Sequence, residues 1–200
     1  MEEKPGNKLP ERKKMRLKQY DYSSAGAYFV TICIQDRKSI LSNIIPPVGN
    51  GAYDVPQYPV GDGAYDVPQV RLTPIGKIIE KHLLSSENIS GVKIDRYVIM
   101  PDHIHAIIFL DPNQYKRNSN KSGSSSINGT SRAPSPTNEM LPHVVSAFKR
   151  FCNKEIGNNI FQRGYMEHII RDLKDYETRA NYIYNNPIRW YYKRLDIEDD

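Results

Sequence analysis

The stretch Tyr97–Leu110, YVIMPDHIHAIIFL, sets two apolar runs on either side of Pro101-Asp102. Alternate residues of a strand share a face, so His103 and His105 point the same way, about 7 Å apart along the chain. Ile104 and the run from Ile107 to Leu110 hold that strand in an apolar setting. Two neighbouring neutral imidazoles on a rigid element suit a divalent metal ion. A bare His-x-His equally describes two half-buried histidines packed under a helix, so the choice rests on what faces them. Pro101-Asp102 supplies a turn, which makes Val92–Met100 and the histidine strand a hairpin.

Outward from the hairpin, Ala27–Gln35 is rich in β-branched and aromatic residues and reads as a central strand. Thr73 caps a helix with Pro74 at its first position, running to about Leu84 until Ser90-Gly91 breaks the segment. Leu141–Ile156 has helical spacing, with Val144, Val145, Phe148, Phe151 and Cys152 on the apolar face. Lys149, Arg150 and Lys154 fall on its other side. Gln162–Arg171 is a further strand, and Asp172 opens a last helix. Pro187 is expected to stop or kink that helix, because it has no N–H and its ring crowds the carbonyl of Ile183. It also biases Asn186 out of the helical region. The order strand, helix, strand, strand, helix, strand, helix gives an α+β chain. It predicts a ferredoxin-like (split βαβ) antiparallel sheet with the histidine strand central and a closing C-terminal helix.

Two long insertions interrupt this plan. PVGNGAYDVPQ at 47–57 returns as PVGDGAYDVPQ at 59–69, and the whole of 43–72 reads as a duplicated surface insertion. Proline and glycine at that density oppose helix and inner strand alike. The stretch 111–138 is a Ser-rich loop whose composition cannot sustain a packed core. With these, 200 residues still fit a single domain. Net charge is +5 with pI near 9.1, which suits a polyanionic partner without requiring one. Part of that charge sits in a basic arm at 1–19, with Lys13, Lys14 and Arg16 at its centre. The chain has two cysteines, no signal peptide and no apolar stretch of membrane-spanning length. A reduced, cytoplasmic protein is therefore expected. No CxxC pair supports a structural zinc module.

The last helix supplies what could face the histidines. In ANYIYNNPIRW, Tyr182 and Asn186 stand four apart, one turn along the same face. Tyr184 lies about 200° round from Tyr182, so the two phenols cannot serve one site. Docked over His103 and His105, the helix would add the Asn186 amide oxygen to two imidazoles. Such a mixed N/O set with open positions suits Mg²⁺ or Mn²⁺. The ion would polarise a phosphodiester, and Tyr182 would be the nucleophile that forms a phosphotyrosine. The same residues also fit a core tyrosine with a capping Asn before Pro.

Four segments together, DYSSAGAYFVTICIQDR, YVIMPDHIHAIIFL, FQRGYMEHIIRD and YIYNNPIRW, resemble the REP-associated tyrosine transposases, which are single-tyrosine HUH transposases. The resemblance implies that His103 and His105 carry the metal, that Asn186 completes its site, and that Tyr182 attacks. It further implies cleavage and rejoining of single-stranded DNA at hairpin-forming palindromic repeats through a covalent 5′-phosphotyrosine link. Relatives of this kind include monomers and homodimers. Lys13, Lys14, Arg16, Lys149 and Arg150 would then contact DNA phosphates, with Arg163 and Arg171 as further candidates. The alternative is a hairpin or single-strand binding module without catalysis, since ferredoxin-like sheets often bind single strands. A metallohydrolase with water as nucleophile finds no HExxH motif or carboxylate pair to support it.

Overall fold

The computed structural model describes residues 25–45, 68–114 and 140–198. Its nine main elements are β1 (Gly26–Cys33), β2 (Ser42–Ile45), β3 (Gln69–Leu72), α1 (Pro74–Ser85), β4 (Val92–Ile99), β5 (His103–Leu110), α2 (Met140–Ile156), β6 (Met166–Ile170) and α3 (Leu173–Glu198). Four strands form one antiparallel sheet in the order β4-β5-β1-β6. This is the split βαβ arrangement, and the histidine strand β5 is interior. Burial agrees, since all but one residue of β5 and of β1 is buried.

The two faces of the sheet have separate partners because side chains alternate along a strand. On one face Tyr28, Val30, Ile32, Ile104, Ala106 and Ile108 meet Ile79 and Leu83 of α1 and the apolar stripe of α2. On the other, Phe29, Val98, Met100 and Ile107 meet Ile183 of α3. Thr31, His103 and His105 share parity with this second set. Helix α1 starts as expected, with the Thr73 hydroxyl accepting from the Gly76 N–H at 3.0 Å. The β4–β5 turn closes through the Met100 N–H donating to the His103 carbonyl at 2.8 Å.

Three elements depart from the sequence expectation. The last strand is shorter than Gln162–Arg171, because Phe161 instead bridges to Ile34 and the next four residues form a loop. The stretch read as one insertion opens and closes on a two-stranded ladder, β2 with β3. The Ser42 hydroxyl ties that ladder to the Ile99 carbonyl at 2.8 Å, and Ile44 and Val70 pack on the α3 side of the sheet. The repeat between these strands, the basic arm and the Ser-rich loop fall outside the described residues.

The third departure is a correction. Pro187 neither stops α3 nor pushes Asn186 out of it, for the helix runs 26 residues with Pro187 inside. Losing one backbone hydrogen bond is a local cost, and tertiary packing outweighs it. Pro187 is itself buried, and three residues on, Trp190 packs against the sheet-face cluster. The front half is anchored just as firmly. Asp172 caps the helix by accepting from the Asp175 N–H at 2.8 Å. The Tyr176 hydroxyl donates at 2.7 Å to Asp95, the residue that bulges out of β4.

Candidate active site

His103 and His105 lie side by side under α3, their ring centroids 4.6 Å apart and nearly perpendicular. Each is oriented by a different neighbour. The His103 Nδ1 bonds to the Asp102 carboxylate, which reserves Nε2 as the coordinating nitrogen. The His105 Nδ1 sits 2.9 Å from the Thr31 hydroxyl, directly across in the β1–β5 register. Its Nε2 is buried and makes no hydrogen bond.

Electrostatics keep both rings neutral. Burial lowers the pKa of His103 against the opposing pull of Asp102. Burial, with the adjoining His103 and Arg37 charges, pushes His105 down to about 3. With its proton on Nδ1, donated to the Thr31 hydroxyl, the neutral His105 ring would present an Nε2 lone pair that is desolvated yet unused. Stranding such an atom is costly unless something binds it, and a divalent cation meets that need. The residues present therefore fit the metal the sequence implies.

Helix α3 brings the phenol. The Tyr182 ring stands 5.1 Å from His105, edge to face, and 5.8 Å from Phe29. Phe29 in turn stacks on His105 at 5.2 Å. Tyr182 thus stands beside His105 within one chain. Asn186, one turn further, is 6% exposed on the same side of α3. Tyr184 is 63% exposed, as its angular position requires. Trp190 reaches His103 at 5.8 Å, and the Arg189 guanidinium lies 5.8 Å over the Tyr182 ring. Among the described residues no three His, Cys, Asp or Glu side chains cluster as ligands. Cys33 pairs across from His103, but burial raises its pKa and keeps it a thiol. Asn186, buried one turn along α3 from Tyr182, is the residue expected to supply an amide oxygen as third donor.

The basic candidates scatter. Lys149 is not a free cation, because its ammonium donates to the carbonyls of Gln162 and Gly164 at 2.8 and 2.7 Å. Burial lowers its pKa. Arg163 is exposed at the rim of a recess that Lys149 also lines. Arg150 stacks on Phe151 at 4.9 Å beside a second recess at the end of α2. Arg171 is exposed after β6, while Lys13, Lys14 and Arg16 lie outside the described residues.

Several site residues escaped the sequence reading. Asp102 directly precedes the first histidine and was visible as the start of DHIH. Thr31 becomes a partner only through strand register. Arg37 belongs to a tight turn after β1, and its Nη1 lies 3.5 Å from the outer oxygen of Asp102. In that turn Asp36 and Arg37 both have positive φ, 56° and 53°. Left-handed backbone costs a residue with a Cβ about 1–2 kcal/mol, so the surrounding structure must impose it.

No protein-family model matches the chain. An uncharacterized protein of Haemophilus influenzae is 31% identical over 200 residues, covering 95% of this chain and 96% of its own. A second protein of that organism, described as "Putative REP-associated tyrosine transposase", is 26% identical over 170 residues, covering 84% of this chain and 74% of its own. A solved structure of a REP-associated tyrosine transposase bound to a REP hairpin is similar with a TM-score of 0.53 at 19% identity. That similarity covers 88% of this chain and 74% of the other, and it is a likeness of fold.

Proposed function

We propose that this chain, similar over most of its length to a protein described as a putative REP-associated tyrosine transposase and in fold to such a transposase bound to a REP hairpin, cuts and rejoins single-stranded DNA at hairpin-forming repeats. The observation that carries this reading is the Tyr182 ring beside His105, whose inner nitrogen is buried and unpartnered.

His103, His105 and Asn186 would hold Mg²⁺ or Mn²⁺, which supplies charge stabilisation at the phosphoryl oxygens of the substrate. The chain's own residues do the rest. Asp102 and Thr31 orient the two rings through their Nδ1 atoms, which leaves Nε2 of each for the ligand. Tyr182 forms an Oη–P bond as the O3′–P bond breaks. The phenol gives up its proton, and the departing 3′ oxygen takes one up. The product is a 5′-phosphotyrosine, whose bond energy is kept for rejoining when a 3′-hydroxyl attacks. Phe29 and the stacked rings around it limit water at the phenol and so slow hydrolysis of the link.

Arg150, Arg163, Arg171 and the basic arm with Lys13, Lys14 and Arg16 are the proposed phosphate contacts along the DNA. Lys149, with two of its three N–H groups committed, has one donor left to offer. Among the described residues no helix is long and apolar enough to cross a membrane. Both cysteines are free and buried, which suits the cytoplasmic setting where such DNA lies.

Incubation of the protein with a labelled single-stranded hairpin and Mn²⁺ should yield an adduct that survives a denaturing gel. Tyr182→Phe should abolish it, and so should a chelator. An adduct that persists in Tyr182→Phe removes this residue as nucleophile. Tight hairpin binding with no cleavage by the unaltered protein favours the non-catalytic binding module.

A further inference from the structure

We propose that Arg37 is a DNA-binding residue, clamping a phosphodiester of the single strand as it enters the two-histidine site. The assignment rests on the single-strand reading above and names the residue that would hold the strand at the mouth of the site.

Three observations converge on it. The first is position. Arg37 Nη1 lies 3.5 Å from the Asp102 carboxylate, whose other oxygen orients His103, so the guanidinium stands one residue away from the proposed ligand. The second is exposure. The Asp102 side chain is 9% exposed and that of Arg37 is 51% exposed, so the guanidinium reaches from a buried anchor into solvent with most of its five donors unspent. A planar fork held on one side and open on the other suits a bidentate phosphate contact.

The third observation is the backbone. Asp36 and Arg37 occupy the central positions of a turn whose φ values suit glycine or asparagine. The turn is locked from three directions. The Gln35 N–H donates to the Ile160 carbonyl at 2.8 Å, the Ile34 N–H to Asp102 at 2.9 Å, and the Leu41 N–H to Pro101 at 2.9 Å. Glycine at position 37 would relieve the backbone, so an arginine held there against its preference points to use of its side chain.

The test compares two probes, a blunt DNA hairpin and the same hairpin with a short single-stranded extension. Each is titrated against the unaltered protein, Arg37→Gly and Arg37→Lys over a range of salt. Loss of one phosphate contact weakens binding about five- to tenfold near 0.1 M salt and lowers the log Kd against log salt slope by about one. We expect that change in Arg37→Gly for the extended hairpin alone. Arg37→Lys should keep the slope and lose part of the affinity. The urea midpoint of Arg37→Gly should be unchanged or higher, which a merely structural arginine would not allow.

Unchanged affinity and slope in Arg37→Gly overturn the proposal, as does a loss confined to variants whose urea midpoint falls. If the unaltered protein binds the extended hairpin through Arg37 yet forms no adduct with Mn²⁺, the strand-transfer reading fails and this assignment stands. If adducts form and Arg37→Gly behaves as the parent, the reverse holds. Failure of the unaltered protein to bind either probe removes both.

Discussion

His105 sits 5% exposed with one nitrogen satisfied and the other not, and this imbalance gives the site measurable properties. Its folded pKa, about 3, is below the unfolded value near 6.5, so the fold favours the neutral ring. That contribution is complete above pH 6.5 and is lost as pH falls toward 3. The metal-free protein should therefore show a urea midpoint that drops on acidification through this window. His105→Gln should flatten part of the drop, and His103, shifted the same way by burial, accounts for a further part. Thr31→Val removes the hydroxyl that orients the His105 ring while keeping the shape. It should weaken Mn²⁺ binding by about tenfold or more in a calorimetric titration, the usual effect of losing a ligand's hydrogen-bond partner. Equal Mn²⁺ affinity in the two proteins would show that Thr31 does not orient the ring.

Elements explain which parts of this arrangement could be read in advance. The hairpin, the Thr73-capped helix and the apolar stripe of α2 are local patterns, and each appears where its residues place it. The shared face of His103 and His105 follows from strand alternation alone, and the pairing of Tyr182 with Asn186 follows from helical pitch. What was not legible depends on contacts across the fold. Thr31 meets His105 because β1 and β5 pair in one register, which no local pattern specifies. The course of α3 past Pro187 depends on Trp190 finding a place beside His103. The β2–β3 ladder was hidden because proline-rich sequence separates two short strands that only pairing stabilises.

Packing between elements makes its own prediction at Gly76 in α1. A Cβ there would lie 2.0 Å from the Leu41 carbonyl oxygen, a backbone atom that cannot step aside. Gly76→Ala should cost about 1–3 kcal/mol or more, despite the helix preference of alanine, and denaturant melts can measure it. A neutral result would mean that the β1–β2 connection yields at Leu41.

At the scale of the whole molecule, the phenol and the imidazoles belong to one chain. Adduct formation with excess DNA should therefore have a rate per protein that is independent of protein concentration. A mixture of Tyr182→Phe with His105→Ala should stay inactive, since neither chain can lend the other its missing group. Recovery of activity in that mixture would mean that α3 exchanges between subunits. Against such exchange, α3 follows β6 after only Arg171 and Asp172, and His168 holds Asp175 at 2.8 Å across the junction.

That short tether has a stoichiometric consequence. With Tyr182 as the nucleophile, each polypeptide would be bonded to one severed end at a time, since Tyr184 faces away and, among the described residues, Tyr182 is the phenol beside His105. Liberating a segment bounded by two breaks then demands either a pair of molecules working together or one molecule that reseals its first break before making the next. Counting labelled ends per polypeptide during turnover would never exceed unity.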